Sequence, residues 1–166
     1  TGASMTYACF DCLPPYAAWL ALSERQNFVN FQKAAKYAPM NQDILSDVTV
    51  LKWAYNVALT RSIDWYGERY IAPMADMFNH GTENEIWLSY DESGNCFAQT
   101  TKDVPANSPL RMSYGDPTNP SFLLARYGFL DQSSPATFCK IIPPHVSKEM
   151  KNLRYANDTM LFYKDT

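Results

Sequence analysis

Residues 71–85 read IAPMADMFNHGTENE. Of the chain's two histidines, His80 stands here directly after Asn79, which lies three residues beyond Asp76, where apolar sequence gives way to a polar loop. A histidine so placed is open to four readings: a metal ligand, a catalytic base, a core side chain satisfied by the backbone, or the wall of a binding pocket. Its role depends on what the rest of the chain offers as a partner.

Zinc coordination needs further ligands at characteristic spacing. No H-x-x-x-H is present, and His145 follows two prolines as a surface residue would. Cys9 and Cys12 form a lone C-x-x-C in CFDC, while Cys96 and Cys139 stand apart, so the paired knuckles of a structural zinc site are missing. The expectation is reduced thiols in an intracellular protein and no metal. An Asp–His hydrolase requires a nucleophile such as the serine of G-x-S-x-G, and that motif does not occur.

Composition narrows the class. At 166 residues, 46% of them hydrophobic, the chain has the size of one ordinary globular domain with a substantial core. No uninterrupted apolar run is long enough for a membrane span, so no membrane partner is expected. A net charge of −3 with interleaved signs lacks the positive field that phosphate backbones attract, which argues against nucleic acid. The chain shows no signal peptide, and both ends read as cut.

The front half has helical periodicity. In residues 15–37, Tyr16, Trp19, Leu20, Phe28, Phe31 and Ala35 recur at helical intervals, with Ser23 expected to cap the second of two short helices. Ile44, Val48, Leu51, Tyr55 and Leu59 predict one helix over residues 43–61 with a single apolar stripe. After Gly67, ERYIAPM, EIWLSYD, NCFAQTT, LRMSY and TFCKII predict short antiparallel strands, rich in β-branched and aromatic residues. DESGN, residues 91–95, predicts a hairpin loop with Gly94 at positive φ. One helix interrupts the strands: Asn119 caps it, Pro120 takes its first position and Gly128 ends it.

The second informative segment is RMSYGDPTNPSFLLARYGFL, residues 111–130, where Tyr114 and Tyr127 each precede a glycine and Phe129 follows. With PMADMFNH, residues 73–80, and the less specific WAYNVALTRSI, residues 53–63, it resembles the SET-domain methyltransferases, in the branch of the Rubisco large-subunit lysine methyltransferase. The match covers about residues 48–142, in the order and with the separations of that family.

The resemblance implies an α+β, SET-type fold of short, mostly antiparallel strands with a helical insertion at its amino-terminal side. Residues 1–62 would be that insertion, 63–142 the carboxy-terminal half of the SET core, and 143–166 the start of a helical substrate-binding domain. The early strands of the family carry a G-x-G-like cofactor loop. No two of the six glycines here form one, so the amino-terminal part of the SET domain is expected to be missing.

The activity implied is S-adenosylmethionine-dependent methylation of a protein lysine. Asn79 and His80 resemble the family's cofactor-holding pair, Arg61 an arginine that reaches the cofactor, and Phe129 a ring that borders the transfer channel. Tyr114 resembles the catalytic tyrosine. Tyr127 would line the lysine side, and backbone carbonyls near Arg61, Asp76 and Met112 would rim the channel. Asn107 stands where glycine is common, and asparagine tolerates left-handed backbone. The expected partner is a protein substrate, the expected state a monomer, and cytosol, nucleus and plastid all stay open. Two alternatives stand beside this reading: a SET-like module that binds protein without methylating it, and a histidine methyltransferase of the same branch.

Overall fold

A computed structural model describes residues 1–135, 138–141, 148–149 and 160–163. It combines helices with small two-stranded sheets, an α+β arrangement. The chain forms two compact units, one from Thr1–Pro39 with the described residues from Thr118 onward, the other from Met40–Pro117.

The first unit is built on helices α1 (Tyr7–Asp11), α2 (Pro15–Ala35) and α5 (Pro120–Tyr127). Pro15 opens α2 at a position where its missing N–H costs nothing. The expected break at Ser23 does not occur, because the Ser23 hydroxyl donates to the Trp19 carbonyl at 2.9 Å and stays within the helix. The expected stripe of α2 is buried only in part. Ala17, Ala21, Phe28 and Ala35 are buried, whereas Trp19 is 51% exposed. Small residues face inward because backbone approaches closely there: a Cβ on Gly2 would lie 2.3 Å from the Ala21 carbonyl oxygen. Phe10, Ala21 and Ala125 form the resulting core, with Met5, Leu13 and Leu20 packed against it.

Helix α5 follows its sequence expectation. The Asn119 side chain accepts from the Phe122 N–H, Pro120 begins the helix, and Gly128 ends it in left-handed conformation at φ 86°. Beyond it, β7 (Phe138–Ile141) pairs antiparallel with β8 (Met160–Tyr163), so the strand expected in TFCKII forms. Apart from residues 148–149 and β8, the span 143–166, His145 included, lies outside the described residues.

In the second unit the single helix expected over residues 43–61 is two helices, α3 (Gln42–Ser46) and α4 (Val48–Arg61). Asp47 separates them: its backbone is extended, and its carboxylate accepts from the Thr49 and Val50 N–H groups at 2.8 and 3.2 Å. Capping by a short acidic side chain outweighs the continuous apolar spacing. Of the expected stripe, Leu51 and Leu59 are buried, while Ile44 and Val48 are exposed.

Strands β1 (Ile63–Trp65) and β2 (Glu68–Tyr70) form a hairpin around Tyr66 and Gly67, both at positive φ. Of ERYIAPM, only Glu68–Tyr70 pairs as strand. Strands β4 (Ile86–Tyr90) and β5 (Cys96–Thr100) form the expected antiparallel hairpin over DESGN. Its loop is wound around the Asp91 carboxylate, which accepts from the Ser93 and Asn95 N–H groups, each at 2.9 Å, and Gly94 has φ 80°. Alternation along β4 sends Ile86 and Leu88 inward to Ala72 and Ala75, and Trp87 outward.

The last pair differs from the antiparallel expectation. β3 (Asn79–His80) and β6 (Arg111–Met112) are parallel, with Asn79 opposite Arg111 and His80 opposite Met112. A parallel pair needs a long connection, and the β4–β5 hairpin with its flanking loops supplies one. Asn107 has φ 65° on the approach to β6, the left-handed backbone expected of it.

Candidate active site

The β3–β6 ladder is only two residues deep, so neighbouring bonds decide whether it holds. The Gly81 N–H donates to the Met112 carbonyl and the Glu85 N–H to the Arg111 carbonyl, each at 3.0 Å, which extends the contact on both sides. A charged clamp adds to it. Glu85, 6% exposed, accepts from the Arg111 Nε and backbone N–H at 3.0 Å and from Nη2 at 2.8 Å. Such a fork is directional and fixes register as well as attracting. Gly81 is required beside it, since a Cβ there would meet the Arg111 side chain at 2.9 Å.

Hydrogen bonds from Arg111 hold the Glu85 carboxyl below its ordinary pKa of 4.5. A depressed acid contributes stability that is full above the unfolded-state value and fades as pH falls through the folded one. Glu85→Gln is expected to lower the melting temperature by several degrees at neutral pH. The gap from wild type should close on acidification below about pH 4, as thermal melts at stepped pH will read.

This ladder brings His80 and Tyr114 together. The Tyr114 backbone N–H donates to His80 Nδ1 at 3.1 Å, and the two rings lie 5.5 Å apart, inclined by 45°. Because Nδ1 accepts, the neutral imidazole carries its proton on Nε2. The Tyr114 hydroxyl donates to the Phe78 carbonyl at 2.6 Å, reaching back across the turn that leads into β3. Burial raises the phenol's pKa above 10.0; nearby Arg61 opposes this and Asp76 adds to it. At neutral pH Tyr114 is therefore a hydrogen-bond donor and not a phenolate.

Arg61, at the end of α4, donates to the Asp76 carbonyl at 2.5 Å. The main chain of Asp76, more than its carboxylate, ties the helix to the residues 75–77 turn. That turn begins at Met74, whose φ of 74° is unusual for a residue with a side chain. Asn79 is exposed and His80 half-buried.

Of the eight residues singled out from sequence, Arg61, Asp76, Asn79, His80, Met112 and Tyr114 belong to the Met40–Pro117 unit. Within it, hydrogen bonds and strand pairing join Arg61 to Asp76, Asn79 and His80 to β6, and His80 to Tyr114. Tyr127 and Phe129 belong to the other unit, their rings 6.2 Å apart at the end of α5. The sequence reading missed Phe78, Glu85, Arg111 and Met74. Phe78 acts through its carbonyl, which carries no residue-type signal, and Glu85 meets Arg111 across 26 positions, beyond any local pattern.

Among the described residues no group of three or more His, Cys, Asp or Glu is placed to hold a metal, and no helix is long and apolar enough to cross a membrane. No protein-family model matches the chain, and no curated protein matches it either.

Proposed function

We propose that the chain belongs to a SET-type protein-lysine N-methyltransferase that uses S-adenosylmethionine. The observation that carries this reading is the parallel ladder that joins the asparagine–histidine segment to the tyrosine segment, with the phenol of Tyr114 against the imidazole of His80. Those are the two more specific of the three segments on which the resemblance rests, and some thirty residues separate them in sequence.

The donor set suits a nucleoside. The exposed Asn79 carboxamide offers a donor and an acceptor to a base edge, and the neutral His80 ring offers a flat face. With Arg61, these residues would hold the cofactor. When bound, S-adenosylmethionine supplies an electrophilic methyl group on a sulfonium.

The demand on the protein is alignment of the acceptor amine, since an in-line displacement needs near-attack geometry and no covalent intermediate. Tyr114 meets it as an oriented polar group: its hydroxyl proton is retained at neutral pH and given to the Phe78 carbonyl, which leaves the phenol oxygen's lone pairs fixed in direction toward a polarised methyl group. The acceptor must be a neutral amine. Half-buried surroundings and the positive charge of Arg61, close enough to act on the Tyr114 phenol, both disfavour an ammonium there. The Asp76 charge works against this, so burial sets the balance. By resemblance, the main chain around Asp76 and Met112 forms the lysine side.

The test is transfer itself. Incubating the protein with methyl-labelled S-adenosylmethionine and lysine-rich protein substrates, then hydrolysing to amino acids, is expected to give labelled methyl-lysine. Labelled methylhistidine alone would move the acceptor to histidine. Tight binding of substrate without any label in either amino acid would establish the non-catalytic binding module instead.

A further inference from the structure

Cys9 and Cys12 lack the second pair of ligands that a zinc site needs, and methyl transfer has no use for them. Both thiols are nonetheless exposed on the short helix α1. The segment begins as α-helix, with the Thr6 carbonyl accepting from the Cys9 and Phe10 N–H groups at 3.1 and 3.4 Å, and tightens at its end, where the Cys12 N–H donates to the Cys9 carbonyl and the Leu13 N–H to the Phe10 carbonyl, each at 3.2 Å. Bonds to the third residue back mark 3₁₀ winding, in which side chains three apart eclipse one another. Ordinary α winding leaves such Cβ atoms about 5–6 Å apart, beyond the roughly 3.5–4.5 Å that a disulfide spans. The tighter turn shortens that gap, and Cys12, as the residue that ends the helix, can close the rest.

The two thiols differ in their surroundings. The Cys9 sulfur lies 3.2 Å from the Thr6 hydroxyl oxygen. Hydrogen bonds from that hydroxyl, and then from the Thr6 backbone, hold its pKa below the ordinary thiol value of 9.0, which enlarges the reactive thiolate fraction. The turn is anchored from behind. Phe10 is buried beside Ala21 and Ala125, and the Arg25 guanidinium covers the Tyr7 ring at 4.5 Å while donating to the Met5 carbonyl at 2.6 Å.

We infer that Cys9 and Cys12 form a redox couple, closing a reversible disulfide within one helical turn by exchange with a low-molecular-weight disulfide of the glutathione class. The Cys9 thiolate attacks one sulfur of that disulfide, its S–S bond breaks, and the departing thiolate takes up a proton. The Cys12 thiolate then attacks the Cys9 sulfur and expels the second small thiol. Two protein thiols are oxidised to one disulfide and one small disulfide is reduced to two thiols, so atoms and electrons balance.

The experiment treats the reduced, folded chain with oxidised glutathione, quenches with an alkylating agent, and weighs the peptide that contains both cysteines. In the wild type this peptide is expected to carry neither glutathione nor alkyl group and to be lighter by two hydrogens, with full reversal by dithiothreitol. Cys12→Ser should trap glutathione on Cys9. Cys9→Ser should react at Cys12 several-fold more slowly, and Thr6→Val should slow Cys9, with unchanged circular dichroism in each case. A wild type that stops at a mixed disulfide, or alkylates fully at both positions after exposure to oxidised glutathione, overturns the inference. Equal rates for the two serine variants overturn the assignment of Cys9 as the attacking thiol. The wild-type peptide mass decides even if a variant fails to fold.

Discussion

Tyr114→Phe is expected to slow methyl transfer by about a hundredfold or more, the usual consequence of removing one oriented polar group from a reacting centre, while leaving substrate binding near its wild-type level. The phenyl ring keeps its place against His80 and the backbone N–H keeps its bond to Nδ1, because neither depends on the hydroxyl. Only the bond to the Phe78 carbonyl disappears, a stability cost of about 1 kcal/mol. Activity and folding therefore separate in this variant. Single-turnover rates and peptide affinity, measured on the same preparation, check it; a variant that keeps its rate removes Tyr114 from the chemistry.

The largest stability effect is expected at Leu123, which is wholly shut from solvent. Leu123→Ala removes buried methyl groups and leaves a cavity that close-packed neighbours fill only in part, at a cost of about 3 kcal/mol. For a chain of this length that corresponds to roughly 6–12 °C in melting temperature. The loss belongs to the unit containing α5, so hydrogen exchange should loosen α2 and α5 together while β4 and β5 keep their protection. Differential scanning calorimetry with exchange on the same variant measures both.

Much of this architecture was legible in the sequence, and its failures have identifiable causes. Helix α5 and the β4–β5 hairpin were readable because their signals are local: Asn119, Pro120 and Gly128 at the helix ends, Asp91 and Gly94 in the turn. The break at Asp47 is invisible to hydrophobic spacing, which runs on through it, because a capping carboxylate and not the apolar pattern sets the boundary. The inward face of α2 is legible at Phe28 and Ala35 but not at Ala17 and Ala21, which close backbone approach at Gly2 favours and apolar spacing passes over. The parallel direction of β3 and β6 depends on a connection of some thirty residues, which strand periodicity does not encode. In the site, side-chain types pointed to His80 and Tyr114, but the main-chain carbonyls of Phe78 and Asp76 that hold Tyr114 and Arg61 have no letter of their own.

Calorimetric titration with S-adenosylmethionine puts the assignment of residues 79–80 and 111–114 to the strongest trial. The expected result is saturable one-site binding, competed by S-adenosylhomocysteine and weakened roughly tenfold, about 1.4 kcal/mol, by His80→Ala. Binding that is indifferent to His80, or the absence of any binding by the folded protein, would contradict it.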